Sequence, residues 1–428
     1  MVSSNAADDP TLPHRVLAFY AIAPQSDPDM AVERHRAFLS QRGMVGRVYV
    51  SAEGLNAQVS GTTAHTAEYR AFIEAELADA GVPLIFKVNP IEELAFPKLR
   101  VKHKSLVPVA PDEAAPDLTR RGEDVSPEQW AAMLADRTTP KHVLDVRNAY
   151  EWDVGHFEGA ARPAGTNFAD FDSSSFKLPT DAASKAETPI MMYCTGGVRC
   201  EYFSARLRAE GFQKVYKLQG GVQAYGNAMA DARAEATTAS DAPATTASDA
   251  PATTASDAPA TTDTSPKGAA RGEAGGEAGG EARGEAGGAV PHWRGSLFVF
   301  DRRNLVRFGD AASAREVLGR CAHCGAPTES FVNCGNIDCN ALHLVCASCL
   351  PRRRGFCSTA CEVAPRRRPL DLLAGPDGTV DWEAAVTTTQ GPRPGETDPN
   401  ALSSWKVPNV PRKDFDADRG HLRVPGKQ

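Results

Sequence analysis

Residues 231–290 hold almost no large apolar side chain, so whatever this chain folds into must be built on either side of them. The octad Ala-Thr-Thr-Ala-Ser-Asp-Ala-Pro occurs at 236–243, 244–251 and 252–259, and a run rich in Gly, Glu and Ala follows. An eight-residue period without large apolar positions cannot stack into a repeat core, and burial cannot offset the entropy of ordering it. The segment reads as a disordered linker. The other parts of a 428-residue chain suffice for two or three domains. A net charge of −7 is spread too unevenly to identify a partner. No apolar run approaches the length of a membrane span. The first fifteen residues carry Asp8, Asp9, Pro10 and Pro13 and read as neither a secretory signal nor a transit peptide. A cytoplasmic location is expected, with an organelle left open if the true N-terminus lies upstream. In a reducing compartment, ten cysteines point to metal or catalysis rather than disulfides.

Hydrophobic periodicity divides the rest. Residues 1–13 are expected to be disordered. Residues 14–108 give strands at 16–20, 46–50 and 84–88, a further strand ending near 58–61, and helices at 29–42 and 64–80. Strand, helix, strand, strand, helix, strand is the pattern of a ferredoxin-like α/β sandwich. Residues 120–230 alternate strands and helices as a parallel α/β domain, with Ser126 as a helix N-cap. Residues 291–368 form a small cysteine-rich module. Residues 369–428 read as largely disordered, with Trp382 and Trp405 expected to dock locally.

Within the α/β domain, Ile190-Met191-Met192-Tyr193 leads into Cys194-Thr195-Gly196-Gly197-Val198-Arg199-Cys200-Glu201 and then a helix. The pattern puts a cysteine at the mouth of a strand-to-helix turn. The amides of Thr195, Gly196, Gly197 and Val198 are expected to ring the sulfur, with Arg199 adding positive charge. All three features favour a reachable thiolate. Asp145 and Arg147 end an earlier strand at the same edge of the sheet, where α/β folds place their sites. They either join the chemistry or brace the loop as an ion pair. Cys200 is either a resolving thiol for an oxidised or persulfidated Cys194 or a small residue packed beneath it. Glu201 completes the candidate catalytic set. Glu158 and His156 read as structural.

The run Leu144 to Ala160, the loop Cys194 to Arg199, and Leu218-Gln219-Gly220-Gly221-Val222 together resemble the rhodanese domain. That resemblance implies Cys194 as the persulfide-forming residue, and a Cys-x4-Arg loop suited to sulfur rather than phosphate. Further runs widen the likeness: Ser51 to Ala57, Phe96 to Lys102, Phe298 to Asp301, and Asn333 to Cys361. The whole set is similar to the rhodanese-like oxygen-dependent tRNA uridine hydroxylases, which make 5-hydroxyuridine at the wobble position. The resemblance implies tRNA as partner and molecular oxygen as co-substrate. No nucleotide cofactor, flavin or haem motif is evident. Glu53 and Asn56 either reach toward the loop or shape a turn between strands.

The cysteine-rich module reads Cys321-x2-Cys324, Cys334-x4-Cys339, Cys346-x2-Cys349 and Cys357-x3-Cys361. Paired thiolates on short knuckles suit tetrahedral zinc, and eight sulfurs complete two sites. His343 is an alternative ligand, and iron–sulfur ligation the competing chemistry. Metal would supply much of this module's folding free energy. Residues 291–370 carry 12 Arg against 6 Asp plus Glu, with triplets at Arg352-Arg353-Arg354 and 366–368. In the first domain Lys87, Lys98, Arg100, Lys102, His103 and Lys104 form a second basic cluster. Both suit an RNA backbone, and both also suit a solvated charged face. Three functions follow: uridine hydroxylation in tRNA, transfer of sulfur from a donor through Cys194 to a thiol or cyanide, and metal-bearing RNA binding without catalysis. The oligomeric state is open.

Overall fold

The computed structural model describes residues 11–108, 116–165, 167–240, 291–308 and 316–367, with a short antiparallel pair, Phe415–Asp416 and His421–Leu422. Most of the expected linker, nearly all of the tail with Trp382 and Trp405, and the first ten residues lie outside the described residues.

The first domain runs β1 (His14–Ala21), α1 (Pro28–Gln41), β2 (Val45–Ser51), β3 (Gly54–Thr62), α2 (Thr63–Glu76), β4 (Lys87–Ile91) and β5 (Leu99–His103). Asp27 caps α1 by accepting the Met30 amide, and Thr62 caps α2 by accepting that of His65. Each such cap is worth about 1 kcal/mol. Alternation along the strands sends Leu17, Phe19, Val48, Val50, Leu55, Ala57 and Val59 to one face, where they pack against Leu39, Tyr69 and Ile73. Strand order is β4-β1-β3-β2-β5, the expected ferredoxin-like sheet with one strand added. That fifth strand lies parallel to β2. Its signal was hidden because only Leu99 and Val101 turn inward while Arg100, Lys102 and His103 are exposed. β4 starts later than position 84, because Leu84 and Phe86 pack against the helix-side core instead of pairing with β1.

The second domain runs β6 (Glu123–Val125), α3 (Pro127–Ala135), β7 (His142–Asp145), α4 (Ala149–Val154), β8 (Gly155–Phe157), α5 (Ala182–Glu187), β9 (Ile190–Tyr193), α6 (Val198–Ala209), β10 (Val215–Leu218) and α7 (Gly221–Ser240). Its sheet, ordered β6-β10-β9-β7, is wholly parallel. Ser126 caps α3 through a reciprocal box with Gln129. β9 is buried on both faces, as a central parallel strand should be. Ile190 and Met192 face Phe203 and Phe212, while Met191 and Tyr193 face Trp130 and Phe157. α7 continues to Ser240, into the stretch assigned to the linker, because its alanines favour helix over coil.

The third region holds β11 (Trp293–Gly295), β12 (Leu297–Phe298), β13 (Leu305–Val306), β14 (Phe331–Asn333), β15 (Leu342–Leu344), α8 (Cys349–Arg353) and α9 (Thr359–Glu362). It is no separate bead. β11 pairs antiparallel with β8, and Trp293, Leu297 and Val299 enter the core of Trp130, Phe157, Tyr193 and Tyr225. The Arg302 amide donates to Ala95 O at 2.9 Å, touching the first domain too. Among the described residues no helix is long and apolar enough to cross a membrane.

Candidate active site and cysteine clusters

β9 ends at Tyr193, and the next residue, Cys194, starts the turn into α6. Gly197 at φ 103° bends that turn, and its amide donates to Cys194 Sγ at 3.1 Å. The loop's other side is held by the start of α7: the amides of Val222 and Gln223 donate to Cys194 O and Thr195 O at 3.0 and 3.1 Å. With its carbonyls bound there, the loop turns the Gly197 and Cys200 amides toward the sulfur, whereas among the described residues the amides of Thr195, Gly196 and Val198 make no bond to it. Gly221 must lie close for this. A Cβ on it would sit 2.5 Å from Cys194 O and 2.7 Å from Gly197 N, at φ +68°. Burial pushes the Cys194 thiol up, but the Cys200 thiol, the Arg199 charge and the Gly197 and Cys200 amides outweigh it and bring it down to about 5. Burial and the bond to Cys194 push the Cys200 thiol well up, so Cys200 is the proton donor of the pair.

The frame around the loop is built from buried ion pairs. Arg199 forks onto Glu151, Nη1 to Oε2 at 2.7 Å and Nη2 to Oε1 at 2.9 Å, and Thr195 Oγ1 donates to the same carboxylate at 2.9 Å. Burial raises the Glu151 carboxyl, yet Arg199 holds it below the usual range. Arg147 forks onto Asp145, Tyr193 Oη donates to Asp145 Oδ2 at 2.8 Å, and Arg147 Nη2 donates to Gly155 O. Asp145 and Arg147 thus tie the end of β7 to β9 and β8 and make no bond to the sulfur. Glu201 faces away from the sulfur. It accepts from Tyr20 Oη at 2.6 Å and Lys217 Nζ at 3.1 Å, with Arg121 Nε 3.0 Å from its other oxygen.

Cys194 is only 1% exposed, so the sulfur is not open to solvent as expected. The first domain closes over it. Lys87 Nζ donates to Gly196 O at 3.1 Å, the Tyr20 ring lies against Gly197, and Tyr202 Oη donates to Glu53. Asn56 instead bonds Leu106 O, away from the loop. Lys87 therefore does not belong with the basic cluster. Lys98, Arg100, Lys102, His103 and Lys104 are exposed, and His103 Nδ1 lies 3.0 Å from Asp29.

The eight remaining cysteines gather into two sets, Cys321, Cys324, Cys346 and Cys349, and Cys334, Cys339, Cys357 and Cys361. Within each, all sulfurs lie within 4.8 Å of one another. Cys324–Cys346 is 3.6 Å, and Cys339–Cys357 and Cys357–Cys361 are both 3.7 Å. A tetrahedron with metal–sulfur legs of about 2.3 Å has edges of about 3.8 Å, so the donor sets fit a four-coordinate ion. The knuckles interleave, first with third and second with fourth. His343 stands outside both sets because four thiols already complete each. Arg352 Nη2 donates to Cys349 Sγ at 3.3 Å and Asn336 Nδ2 to Cys361 Sγ at 3.4 Å, bonds that orient the sulfurs. Arg352 and Arg354 are exposed and Arg353 half-buried.

Three family models match in order: a UPF0176 acylphosphatase-like domain at 14–107, a rhodanese-like domain at 126–228, and a rhodanese C-terminal region at 294–362. The tRNA uridine(34) hydroxylase of Protochlamydia amoebophila is 33% identical over 354 residues, 83% of this chain and 90% of the relative. That of Chlamydia trachomatis serovar D is 33% identical over 360 residues, 84% and 90%. The chain belongs to the tRNA uridine(34) hydroxylase family. Among solved structures, the Alr3790 protein from Anabaena sp. is 25% identical over 24% of this chain and 83% of that one, with a TM-score of 0.20.

In this member of the hydroxylase family, sequence reasoning missed Glu151, Lys217 and the role of Lys87. Glu151 had a signal: Asn148 three residues earlier makes it the far half of a capping box. Lys217 had one too, as a lone charge in the buried strand β10. Lys87 had none, since its partner lies 109 residues away.

Proposed function

We propose that this chain hydroxylates uridine 34 of tRNA at C5, with Cys194 as the reacting thiolate and molecular oxygen as co-substrate. The observation that carries this is the sulfur itself, held near a pKa of about 5 at the end of β9, in a chain 33% identical to tRNA uridine(34) hydroxylases. The thiolate adds to C6 and raises electron density at C5, which then takes up oxygen as a hydroperoxide. Two electrons from a thiol reductant, which leaves as a disulfide, split the O–O bond, so that one oxygen stays on C5 as hydroxyl and the other leaves as water. C5 then loses its proton and the C6–S bond breaks, which restores the ring double bond and frees the Cys194 thiolate. The developing negative charge on the ring is stabilised by donors fixed in a site shielded from water. Lys98, Arg100, Lys102 and Lys104, together with Arg352, Arg353 and Arg354, contact tRNA phosphates. In support, Lys98, Arg100, Lys102 and Lys104 are exposed and make no carboxylate pair among the described residues, unlike the buried cations Arg147 and Arg199. The two four-cysteine sets hold zinc, which stabilises the third region without taking part in the reaction. Mass spectrometry of tRNA nucleosides from cells carrying Cys194→Ser tests the assignment. The modified nucleoside disappears; an undiminished 5-hydroxyuridine level overturns the role of Cys194.

A second reading is favoured by the loop alone: an amide donating to a depressed-pKa sulfur also suits a persulfide, making the chain a sulfurtransferase. A cyanolysis assay with thiosulfate separates the two.

A further inference from the structure

Each fixed cation around the Cys194 loop but one has its own carboxylate. Arg199 is taken by Glu151 and Arg147 by Asp145. Lys217 and Arg121 are matched by Glu201 and Asp124. The exception is Lys87. It is 2% exposed, its Nζ donates to Gly196 O, and the Tyr20 ring lies 5.4 Å away. Tyr20 brings no charge, since its hydroxyl is spent on Glu201 and burial keeps it protonated. No carboxylate pairs with Lys87 among the described residues. A buried ammonium left without a counter-charge costs several kcal/mol, and so does a buried thiolate. Among the described residues the Cys194 thiolate shares Arg199 with Glu151, so part of its charge is left for a second cation to meet.

We infer that Lys87, supplied across the domain boundary by β4, is the counter-ion of the Cys194 sulfur and positions the loop through Gly196. The inference rests on the proposed role of Cys194 as the reacting thiolate, and it deepens that reading: the site is complete only when the first domain is docked. Burial lowers the Lys87 amine to about 8 while the Cys194 charge resists that fall, so the lysine is protonated at neutral pH.

The test is the pH profile of Cys194 alkylation by iodoacetamide in the full-length protein, read by mass spectrometry of tryptic peptides. Cleavage after Arg199 places Cys194 and Cys200 on different peptides. Lys87→Gln keeps a donor for Gly196 O but removes the charge, and Lys87→Arg keeps the charge. The inference expects the Gln variant's midpoint to rise by about one pH unit or more, a tenfold loss of thiolate at pH values below it, and the Arg variant to stay near wild type. A Gln variant with the wild-type midpoint overturns the inference and leaves Lys87 a hydrogen-bonding strut. So does an Arg variant that shifts as far as Gln. This readout needs no hydroxylation, so its failure is distinct from 5-hydroxyuridine persisting in Cys194→Ser, which sinks the functional reading instead.

Discussion

At the scale of single residues, the loop depends on charges that cancel in pairs. Arg199 is legible in the sequence as a charge six residues from the strand end, but its partner is not, because Glu151 lies 48 positions away and is brought near only by the sheet. Removing one member of a buried pair strands the other. Glu151→Ala is therefore expected to cost about 3–5 kcal/mol in urea-induced unfolding. It also frees Thr195 and Arg199 from their shared carboxylate, so tRNA hydroxylation falls with it. A stability unchanged within error would mean that Arg199 finds another acceptor. The cysteine was readable for a different reason: strand, Cys, Gly-Gly, Arg and helix are contiguous, and local chemistry leaves its mark locally. Its burial was not readable, because the residues that cover it come from another domain.

At the scale of elements, most strands and helices follow from periodicity and caps, and the misses share one cause. β5 and the start of β4 are decided by tertiary pairing, which overrides the local pattern. The tightest element junction is the approach of α7 to the loop at Gly221. Gly221→Ala puts a methyl within 2.5 Å of Cys194 O and must move the loop. Turnover is expected to fall by about a hundredfold, the usual consequence of misplacing a reacting group by about 1 Å. Gly43→Ala is the control. It sits at a similar φ of +61° with nothing within 4 Å, so it should cost about 1–2 kcal/mol of stability and leave turnover alone. Equal activity of the two variants would show that the loop tolerates displacement.

At the scale of the whole molecule, the cysteine spacing announced two four-sulfur sets but not how the third region joins the others. β11 completes a core begun by α3 and β8, and that interlocking has no trace in the composition of either segment. Elemental analysis should find two zinc ions per chain. Chelation should lower the unfolding temperature and weaken tRNA binding, since α8 and its arginines hang on Cys346 and Cys349. The Cys194 alkylation midpoint should stay put, because neither cysteine set bonds to the loop around it. A midpoint that moves on chelation would mean that the cysteine-rich region props the reactive loop directly.

The route of the chain out of α7 and back into β11 carries one last consequence. Tyr225, on α7, donates to Pro291 O at 2.9 Å, so the excursion begins and returns at the same helix. On the sequence-based expectation of a disordered linker, doubling the length between α7 and β11 adds only about 0.6 kcal/mol of closure entropy. The same expectation predicts that deleting one copy of the eight-residue unit leaves the thermal unfolding midpoint unchanged within error, and a clear shift would show that the segment packs on the folded domains. A fluorophore or an entire reporter spliced between Ser240 and Pro291 should ride along without being felt at the sulfur.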